Sequence, residues 1–488
     1  MGCSGSSSAE EKKNEVQVKK KKQINRYSST DIRKKYEFIY MLGNGAFGKV
    51  RLYRDRSNKD LLYAIKTLKK EGISSYQYNL IKSEVAILSE LDHPNIVRYF
   101  GTFEDNYYIH IVMEYLKGHD LYKIISLKDY TGFDEKDMSL IIFQLLKALV
   151  FIHSKNIVHR DIKPENILFS NKDDYTSLKL IDFGLATNKL KEKKSVGTPY
   201  YMSPEIIQGI SDPKTDVWSV GVIMHQMLTG KYPFNSSSGK DNLLDVIEKK
   251  EFDSSLLDNS DVSDEAKDMV KKILVKDCLK RLSSSQCLQH PWIKKYATQK
   301  DSHLLNAQTI KTLKQFSTKS ALQKEIYFFI AKVSKEKEIL QLKQLFNQLD
   351  TQNNGSLTLT EIEKAFAKIG IKIPDEDLKL IWEGLDFHKD GEVNYTEFLA
   401  AMVSSYKFEK EEKLWTVFNY FKENNNKNNK SIFDSDDYIS YESLLNAANS
   451  LNLNINEEAI KNNFEQFKGK KINFEQFKQI ILSTEEKS

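Results

Sequence analysis

The fold is decided by the stretch His159-Arg160-Asp161-Ile162-Lys163-Pro164-Glu165-Asn166, which is followed downstream by Asp182-Phe183-Gly184. Residues of these types in this order are typical of sites that transfer phosphoryl groups. A second pattern lies nearer the C-terminal end, where Asp386 to Glu397 has the spacing of a calcium-binding loop. Together the two patterns predict an enzyme that carries its own calcium switch.

Composition limits the classes of protein to which the chain can belong. A length of 488 residues is enough for about three domains, and 40% hydrophobic with 29% charged residues is typical of soluble globular proteins. No run of about 18 apolar residues is present, and the N-terminus lacks the apolar core of a secretory signal. The three cysteines are too few and too scattered for a disulfide framework or a zinc site, which indicates a reducing compartment. The net charge of +5 is small for this length, and nucleic-acid binding is not expected.

Changes in sequence character predict four segments. Residues up to about Lys34 are rich in Ser, Lys and Glu, whereas the body that follows alternates apolar runs with helical periodicity and predicts an α+β domain. A polar connector comes next, and then helix, loop and helix units recur at intervals of roughly 36 residues, each marked by an apolar residue before a polar one: Leu357, Val393, Ile439 and Ile472. The predicted domains are 1–35, a flexible basic N-terminal segment; 36–293, a catalytic body; 294–334, a junction segment; and 335–488, a domain of four EF-hand units.

A glycine-rich turn precedes a lysine at the end of an apolar strand. The turn is Leu42-Gly43-Asn44-Gly45-Ala46-Phe47-Gly48-Lys49-Val50, and its glycines would let backbone amides approach a triphosphate without interference from Cβ atoms. Taken alone, the turn also fits a dinucleotide-binding fold or a hairpin. A dinucleotide site requires an acidic residue about 20 positions further on, whereas Tyr63-Ala64-Ile65-Lys66 supplies a cation suited to phosphates.

With these motifs the body resembles the protein kinase family along its whole length. The resemblance implies that Lys66 holds the α- and β-phosphates of ATP and pairs with Glu84. It also implies that Asp161 orients the attacking hydroxyl and accepts its proton. The implied Mg²⁺ ligands are Asn166 and Asp182; the implied catalytic residues are Asp161, Lys163, Asn166 and Lys66; and the implied ATP-binding residues are Leu42, Gly43, Asn44, Gly45, Ala46, Phe47, Gly48, Val50, Lys66, Glu84, Glu114 and Asp182.

Finer features of the body resemble serine/threonine kinases. Lys163 lies two places after Asp161, as in kinases of that class rather than in tyrosine kinases. Thr198 lies where the family's substrate-docking loop contacts the aspartate, and Glu205 is expected to pair with Arg281. The alternative is a pseudokinase, in which the fold survives only as a binding module. That alternative requires the loss of the lysine, the base or a metal ligand, and none of them is missing.

Two loops after the connector carry oxygen-bearing side chains at the calcium-ligating positions, which are 1, 3, 5, 7, 9 and 12. The first loop, 350–361, has neutral amide oxygens at two of these positions, 3 and 5, and the second, 386–397, has a histidine at one. Both have glycine at position 6 and glutamate at position 12, so both are predicted to bind Ca²⁺, with a surface turn as the alternative for either loop alone. The predicted ligands are Asp350, Gln352, Asn354, Ser356 and Glu361, and Asp386, His388, Asp390, Glu392 and Glu397.

The last two EF-hand units, near residues 419–450 and 464–480, are predicted to keep their helices but to have lost the metal. The third unit is stretched by the polar run 422–430 and has Ser443 where the bidentate glutamate belongs. The fourth unit is too short for a complete loop and replaces carboxylates by lysines, whose charge would repel the ion. We therefore expect about two calcium ions per chain.

A kinase body, a connector and four EF-hand units in this order resemble the calcium-dependent protein kinase family. The resemblance implies a multidomain α+β architecture, in which a bilobal protein kinase fold is followed by an all-α, calmodulin-like EF-hand domain. It also implies that the connector helix blocks the substrate groove until calcium-loaded EF-hands bind it. Ile310, Leu313 and Phe316, with Lys311 and Lys314, form a basic amphipathic segment suited to an opened EF-hand groove; a packed linker helix is the alternative.

Charge gives an indication of the protein substrate. Asp120 and Glu165 lie where basic-directed kinases face the residues before the target hydroxyl, so basic side chains are expected there, with solvated surface carboxylates as the alternative. His159-Arg160 precedes the base, which in the family often accompanies an activation segment ordered by phosphate. Ser195 is a candidate for that modification.

The first residues, Met1-Gly2-Cys3-Ser4-Gly5-Ser6, fit the N-myristoylation pattern. Because one acyl chain binds membranes only marginally, a second signal is needed. Cys3 offers a palmitoylation site, and the run Lys19 to Lys22 would attract anionic lipid. We therefore expect lipidation at Gly2 and Cys3 and a cytoplasmic protein held at the inner face of membranes; an unmodified flexible tail is the alternative.

Three functions remain to be distinguished. The first is a calcium-activated serine/threonine kinase that uses ATP, Mg²⁺ and Ca²⁺ and acts on protein substrates. The second is a calcium-independent kinase with structural EF-hands, and the third is a non-catalytic calcium-binding scaffold. Phosphotransfer to a basic peptide, measured with calcium and with a chelator, separates them.

Overall fold

The computed structural model describes most of the chain and divides it into a two-lobed α+β body and a helical domain, as predicted. Strands dominate the first lobe, helices dominate the second, and the rest of the chain is helical apart from four very short strands. The described residues are 27–28, 32–45, 48–56, 58–127, 133–189, 196–235, 242–297, 304–387, 389–404, 411–422, 438–450, 461, 464–465 and 471–482.

The first lobe is built on a sheet of six strands. The strands are β1 (Tyr27–Ser28), β2 (Tyr36–Gly45), β3 (Gly48–Asp55), β4 (Leu62–Lys69), β5 (Tyr99–Glu104) and β6 (Tyr108–Glu114). Their order across the sheet is β1-β5-β6-β4-β3-β2; β1 is parallel to β5, and the other neighbours are antiparallel. The helices of this lobe are α1 (Ile32–Lys35) and α2 (Ser75–Leu88). Ser74 and Gln77 form a capping box that fixes the start of α2.

The second lobe is mostly helical and carries one antiparallel strand pair, β7 (Ile167–Phe169) and β8 (Leu178–Leu180). Its longest apolar helix, α4 (Glu135–Ser154), is long and hydrophobic enough to cross a membrane, but 72% of its most apolar segment is buried within the fold. Burial of this kind is typical of the core helix of a globular protein. The helices are α3 (Leu121–Leu127), α4 (Glu135–Ser154), α5 (Pro204–Ile207), α6 (Pro213–Thr229), α7 (Leu243–Lys249), α8 (Ser255–Asp258), α9 (Asp264–Ile273), α10 (Ser284–Leu288) and α11 (Pro291–Ala297).

The helical domain begins after the second lobe, and its described residues contain one pair of helix–loop–helix units and helices and short strands of a second pair. Its helices are α12 (Ala307–Ser317), α13 (Ala321–Val333), α14 (Glu336–Leu349), α15 (Leu359–Lys368), α16 (Asp375–Leu385), α17 (Tyr395–Val403), α18 (Glu411–Phe421), α19 (Tyr441–Ser450) and α20 (Phe474–Leu482). Its short strands are β9 (Ser356–Leu357), β10 (Val393–Asn394), β11 (Ile439–Ser440) and β12 (Lys471–Ile472).

The short strands join the helical units in pairs. Leu357 lies opposite Val393 between β9 and β10, and Ile439 lies opposite Ile472 between β11 and β12. These four apolar residues are the ones that mark the repeat in the sequence. Each pair of loops is therefore held together by an antiparallel bridge, as EF-hand pairs require.

One apolar core extends from the first lobe into the helical domain; we call it the shared core. It includes Tyr63 and Phe100 of the sheet, whose rings meet edge to face with centroids 5.0 Å apart. The same cluster includes Leu313 of α12 and Phe346 of α14, and both side chains are fully buried. The rear of the sheet is therefore covered by the helical domain rather than by solvent.

Candidate active site and calcium loops

The glycine-rich turn joins β2 to β3 at one end of the sheet. Gly45 pairs with Gly48 across the turn, and a Cβ atom at Gly48 would lie 2.5 Å from the carbonyl oxygen of Thr67, so a side chain does not fit there. The tip residues Ala46 and Phe47 lie outside the described residues. The remaining predicted nucleotide positions of the turn lie on the two strands: Leu42, Gly43, Asn44, Gly45, Gly48 and Val50.

A buried lysine on β4 joins two carboxylates that are far apart in sequence. Lys66 Nζ donates to Glu84 Oε1 at 2.6 Å and to Asp182 Oδ1 at 2.9 Å. Burial alone would lower the pKa of Lys66, but the two carboxylates outweigh it and raise the pKa above its ordinary value. The same lysine lowers the pKa of Asp182, although burial opposes this. The cation therefore stays charged at the position where phosphates are expected.

Asp161 accepts hydrogen bonds from two side chains and forms an ion pair with a third. Thr198 Oγ1 donates to Asp161 Oδ1 at 2.8 Å, and Asn166 Nδ2 donates to Asp161 Oδ2 at 3.0 Å. Lys163 Nζ lies 2.7 Å from the same Oδ2 and also donates to Thr198 Oγ1 at 3.0 Å. Such a carboxylate can orient a hydroxyl group and accept its proton.

The loop that carries Asp161 is held by Asp216 of α6. Asp216 accepts from the backbone N–H groups of His159 and Arg160 at 2.9 and 2.8 Å, and its Oδ2 lies 2.9 Å from His153 Nε2. Arg160 has a positive φ of 66°, which a non-glycine residue rarely adopts. A buried carboxylate that binds two consecutive amides can hold the loop in this conformation.

The segment that follows Asp182-Phe183-Gly184 is tied to the rest of the second lobe by hydrogen bonds of two arginines. Arg160 Nε donates to the carbonyl oxygen of Leu185 at 2.7 Å, which ties the catalytic loop to this segment. The expected pair of Glu205 and Arg281 is present, with two hydrogen bonds at 2.5 and 3.0 Å. The candidate phosphorylation site Ser195 lies outside the described residues.

Asn166 and Asp182 lie close together, because the backbone N–H of Ile181 donates to the carbonyl oxygen of Asn166 at 2.9 Å. Among the described residues, no three His, Cys, Asp or Glu side chains cluster into a metal site of their own. Mg²⁺ commonly takes one or two protein oxygens and completes its coordination with phosphates and water. The pair therefore fits an ion that arrives with a nucleotide.

The side chain of Glu114, at the end of β6, belongs to a buried charge cluster, and its predicted part in ATP binding stays a prediction. Its Oε1 accepts from the backbone N–H of Arg98 at 2.7 Å and lies 3.3 Å from Lys179 Nζ. Lys179 also lies 3.8 Å from Glu336 of α14, which pairs with Lys343 at 3.1 Å. Burial opposes the charge of Glu336, but its cationic neighbours lower its pKa to about 2. The Glu114 side chain thus serves the contact between the body and the helical domain.

The first calcium loop, 350–361, binds its own backbone through its carboxylates. Asp350 accepts from the backbone N–H groups of Asn354 at 3.0 Å and Gly355 at 3.1 Å. Glu361 accepts from the backbone N–H and the hydroxyl of Thr358 at 3.1 and 2.9 Å. Gly355 has a φ of 76°, as position 6 of such a loop requires. The other predicted oxygen ligands of this loop are Gln352, Asn354 and Ser356, and the donor types fit calcium.

The second loop, 386–397, repeats this arrangement. Asp386 accepts from the N–H groups of Asp390 at 3.0 Å and Gly391 at 3.2 Å, and Glu397 accepts from the backbone at loop position 9 at 2.9 Å. Glu392 is exposed, and His388 lies outside the described residues. Carboxylate oxygens at positions 1, 5 and 12 fit a hard cation.

The last two EF-hand units are described in part. The central segments of both loops, 423–437 and 466–470, lie outside the described residues, so the predicted loss of metal there stays a prediction. Ser443, which stands in place of the bidentate glutamate, accepts from the N–H of Ser440 at 2.9 Å. Its hydroxyl therefore makes the backbone hydrogen bond that a glutamate carboxylate makes in the first two loops.

The junction helix α12 packs against α16 and α17. Leu313 and Phe316 are buried there, and Lys314 forms an ion pair with Asp377 at 2.7 Å. A Cβ atom at Gly384 would collide with α12, so the two helices lie unusually close. The amphipathic face predicted for this segment is thus the face that the first EF-hand pair covers.

The two carboxylates proposed for substrate recognition have different surroundings. Asp120 accepts from the backbone N–H of Lys123 at 2.7 Å and so caps the start of α3. Glu165 is exposed. Asp120 thus has a structural role at the start of α3, and the part of both carboxylates in substrate recognition stays a prediction.

Several residues join the body to the helical domain although no motif in the sequence predicts that they do so. Arg98 Nη1 donates to the carbonyl oxygens of Lys332 at 2.7 Å and Ser334 at 3.3 Å, at the end of α13. Asp92 accepts from the backbone N–H and the hydroxyl of Thr396 at 2.8 and 2.9 Å. In the sequence they are only charged or polar residues outside any motif, and such residues do not identify a partner that is distant along the chain.

Comparison with known proteins gives the same two parts. The protein kinase domain family matches residues 36–293, and the EF-hand domain pair matches residues 339–403. The chain is 34% identical over 407 residues to calcium-dependent protein kinase 22 of Arabidopsis thaliana, with 80% of each chain covered. It is 34% identical over 402 residues to calcium-dependent protein kinase 2 of Zea mays, with 81% of this chain and 77% of the relative covered. It is 32% identical over 455 residues to calcium-dependent protein kinase 34 of Arabidopsis thaliana, with 92% and 84% covered.

A protein kinase domain implies ATP and a metal ion, and EF-hands imply Ca²⁺. The relatives span both parts of the chain rather than either part alone. The chain therefore belongs to the calcium-dependent protein kinase family and is an enzyme of the serine/threonine protein kinase class.

Proposed function

We propose that calcium activates this kinase by holding the junction helix away from the substrate groove. The observation that carries the proposal is that α12 packs against α16 and α17, the two helices that flank the second calcium loop. Calcium binding to an EF-hand opens the groove between such helices. A helix bound in that groove cannot block the protein substrate at the same time.

The reaction proposed is transfer of the γ-phosphate of ATP to a serine or threonine hydroxyl. The hydroxyl oxygen bonds to the γ-phosphorus, the bond to the bridging oxygen breaks, and ADP leaves with that electron pair. Asp161 takes the hydroxyl proton, and Lys66, charged and held by Glu84, binds the phosphates. Mg²⁺ held by Asn166 and Asp182 would neutralise charge on the transferred group.

The decisive experiment measures phosphotransfer to a basic peptide with calcium and with a chelator. We expect transfer with calcium and its loss with the chelator. Equal transfer in both conditions would indicate a calcium-independent kinase with structural EF-hands. The absence of transfer in both would indicate a scaffold. Asp161→Asn is the matched control, since it removes the base and leaves the calcium loops intact.

The substrate class that the site favours is a peptide with basic residues before the target hydroxyl. Glu165 supports this, because it is exposed and lies in the catalytic loop, four places after Asp161. We expect Glu165→Gln to raise the KM for a basic peptide more than the KM for a neutral one. Equal effects on both peptides would contradict the proposal.

Membrane attachment through Gly2 and Cys3 completes the proposed function and places the kinase at the cytoplasmic face of membranes. Both residues and the run Lys19 to Lys22 lie outside the described residues, so the support is the sequence pattern. We expect Gly2→Ala to abolish pelleting with membranes, because the first acyl chain is then missing. Equal pelleting of the variant and the wild type would reject the anchor.

A further inference from the structure

The kinase domain places a buried lysine beside the first calcium loop. Lys147 of α4 donates from Nζ to Asn347 Oδ1 at 2.6 Å, and the same nitrogen lies 3.7 Å from Asp350 Oδ2. The side chains of Lys147 and Asp350 are 1% and 0% exposed. Asp350 is position 1 of the loop, so a kinase ammonium group sits next to the first carboxylate that a calcium ion needs.

The backbone of the same loop is pressed against the kinase domain. A Cβ atom at Gly355 would lie 2.5 Å from the ring of His93 and 2.6 Å from the ring of Phe151. Gly391, at the same position of the second loop, has no atom within 4 Å of its Cβ position among the described residues. The first loop is therefore part of the contact between the two domains, whereas the tip of the second loop is open.

The charge balance of the first loop depends on this contact. Burial raises the cost of an unpaired carboxylate, and Lys147 supplies the opposite charge to Asp350 without any metal. A calcium ion held by the same carboxylate would be repelled by that ammonium, and a buried position weakens the screening of this repulsion by solvent. The contact described for the second loop is made by Thr396, at position 11, which is not a ligand position.

We propose that Lys147 and calcium compete for the carboxylate of Asp350, so that docking of the kinase domain lowers the calcium affinity of the first loop. Linkage requires the reverse as well: calcium in the first loop weakens docking by the same factor. The first loop is then a docking contact that reports on domain association, and the second loop is the main calcium sensor. This inference rests on the proposed binding of calcium by the EF-hands.

The test is calcium titration by calorimetry of the full chain in a Glu397→Gln background, which disables the second loop. In this background we compare Lys147 with Lys147→Met, an uncharged side chain of similar length. We expect the Met variant to bind calcium at the first loop about tenfold more tightly, within the usual range of couplings between sites. Lys147→Arg keeps the charge and should bind as weakly as the parent.

The control for general charge effects is Lys136→Met, because Lys136 lies on the same helix but is exposed. It should leave the calcium affinity unchanged. Equal affinity in the Lys147→Met variant and its parent, weaker binding in the variant, or no calcium binding in either would overturn the inference. A circular dichroism melt of each variant shows that it is folded at the titration temperature.

A second readout separates this inference from the proposed function. In the same background, saturating calcium should increase the radius of gyration of the parent, measured by small-angle scattering. The increase should be smaller in the Lys147→Met variant. Calcium-independent phosphotransfer by the wild type would refute the proposed activation, yet it would leave a tenfold effect of Lys147→Met standing. Equal calcium affinities with intact calcium activation would refute the competition alone.

Discussion

The two calcium loops share the backbone hydrogen bonds from positions 5, 6 and 9 to their terminal carboxylates but have different surroundings. The first loop lies against the kinase domain, with Lys147 beside Asp350 and aromatic rings against Gly355. The second loop has an open tip at Gly391 and is flanked by the helices that hold the junction helix. One pair of EF-hands therefore presents the tip of one loop to the enzyme and the tip of the other to the solvent.

The difference indicates that ligand sequence alone does not decide which loop senses calcium. Both loops carry aspartate at position 1 and glutamate at position 12. Position 1 of the first loop already has a protein cation near it, and a calcium ion there must overcome that charge. Four experiments test whether the two loops differ in this way.

The largest effect is expected from removing the bidentate glutamate of the second loop. Glu397→Gln should weaken calcium binding there on the order of a thousandfold, because the number of charged ligands sets the affinity. Most calcium activation of peptide phosphorylation should disappear. The matched variant Glu361→Gln in the first loop should keep most of it. Equal losses in the two variants would show that the loops share the sensing.

The next effect concerns the groove beside the second loop. Leu313 is fully buried in that groove, so Leu313→Ala should cost about 3 kcal/mol in the packing of α12. Ile310→Ala, at a partly buried position of the same helix, should cost less. Activity at saturating calcium should fall more in the Leu313 variant. If both variants fall equally, the groove does not hold α12 in the active enzyme.

The contact between the kinase domain and α13 should make the stability of the protein depend on pH through the side chain of Lys332. Burial lowers the pKa of Lys332 to about 8 from 10.5, although Asp92 opposes this. Between these two values the unfolded chain keeps a proton that the folded chain has released, so stability rises as the pH rises through this interval. Over that pH range, the thermal midpoint of the Lys332→Met variant should rise by about 4 °C less than the thermal midpoint of the wild type. The exposed control Lys311→Met should follow the wild type.

The smallest effect is expected where the second loop touches the kinase domain. Thr396→Val removes the hydroxyl bond to Asp92 and keeps the backbone bond, so it should cost about 1 kcal/mol. The thermal midpoint should fall by about 2 °C. Thr360→Val changes the same position of the first loop, where the side chain is exposed, and should have no measurable effect. A larger shift for Thr360 would reverse the assignment of contacts.

Motifs and periodicity predicted the parts of the molecule whose geometry is local. The glycine-rich turn lies between adjacent strands, and the Leu357 and Val393 bridge follows from the spacing of the repeat. The family resemblance brought Lys66, Glu84 and Asp182 together, and the structure places them within hydrogen-bonding distance. The order of the motifs along the chain was enough to predict that these residues lie together.

Contacts between domains could not be predicted in the same way. Lys147 stands in the apolar run Leu145-Leu146-Lys147-Ala148, and a lone lysine there indicates a buried partner without identifying it. Its partner Asp350 lies on another domain, and only the docking geometry brings the two together. The partners of the Glu114 side chain, Arg98 and Lys179, likewise have no motif that would identify them in the sequence.

The sequence divides into two domains, but the shared core spans both of them, so the two domains are not expected to fold independently. Tyr63 and Phe100 belong to the kinase sheet, yet they are buried in the same cluster as Leu313 and Phe346. A fragment cut after the second lobe would expose this aromatic surface to water and to other copies of itself. Expression of the catalytic half alone is therefore expected to yield an aggregating product, and the enzyme is better regarded as one cooperative block than as a module with a regulator attached.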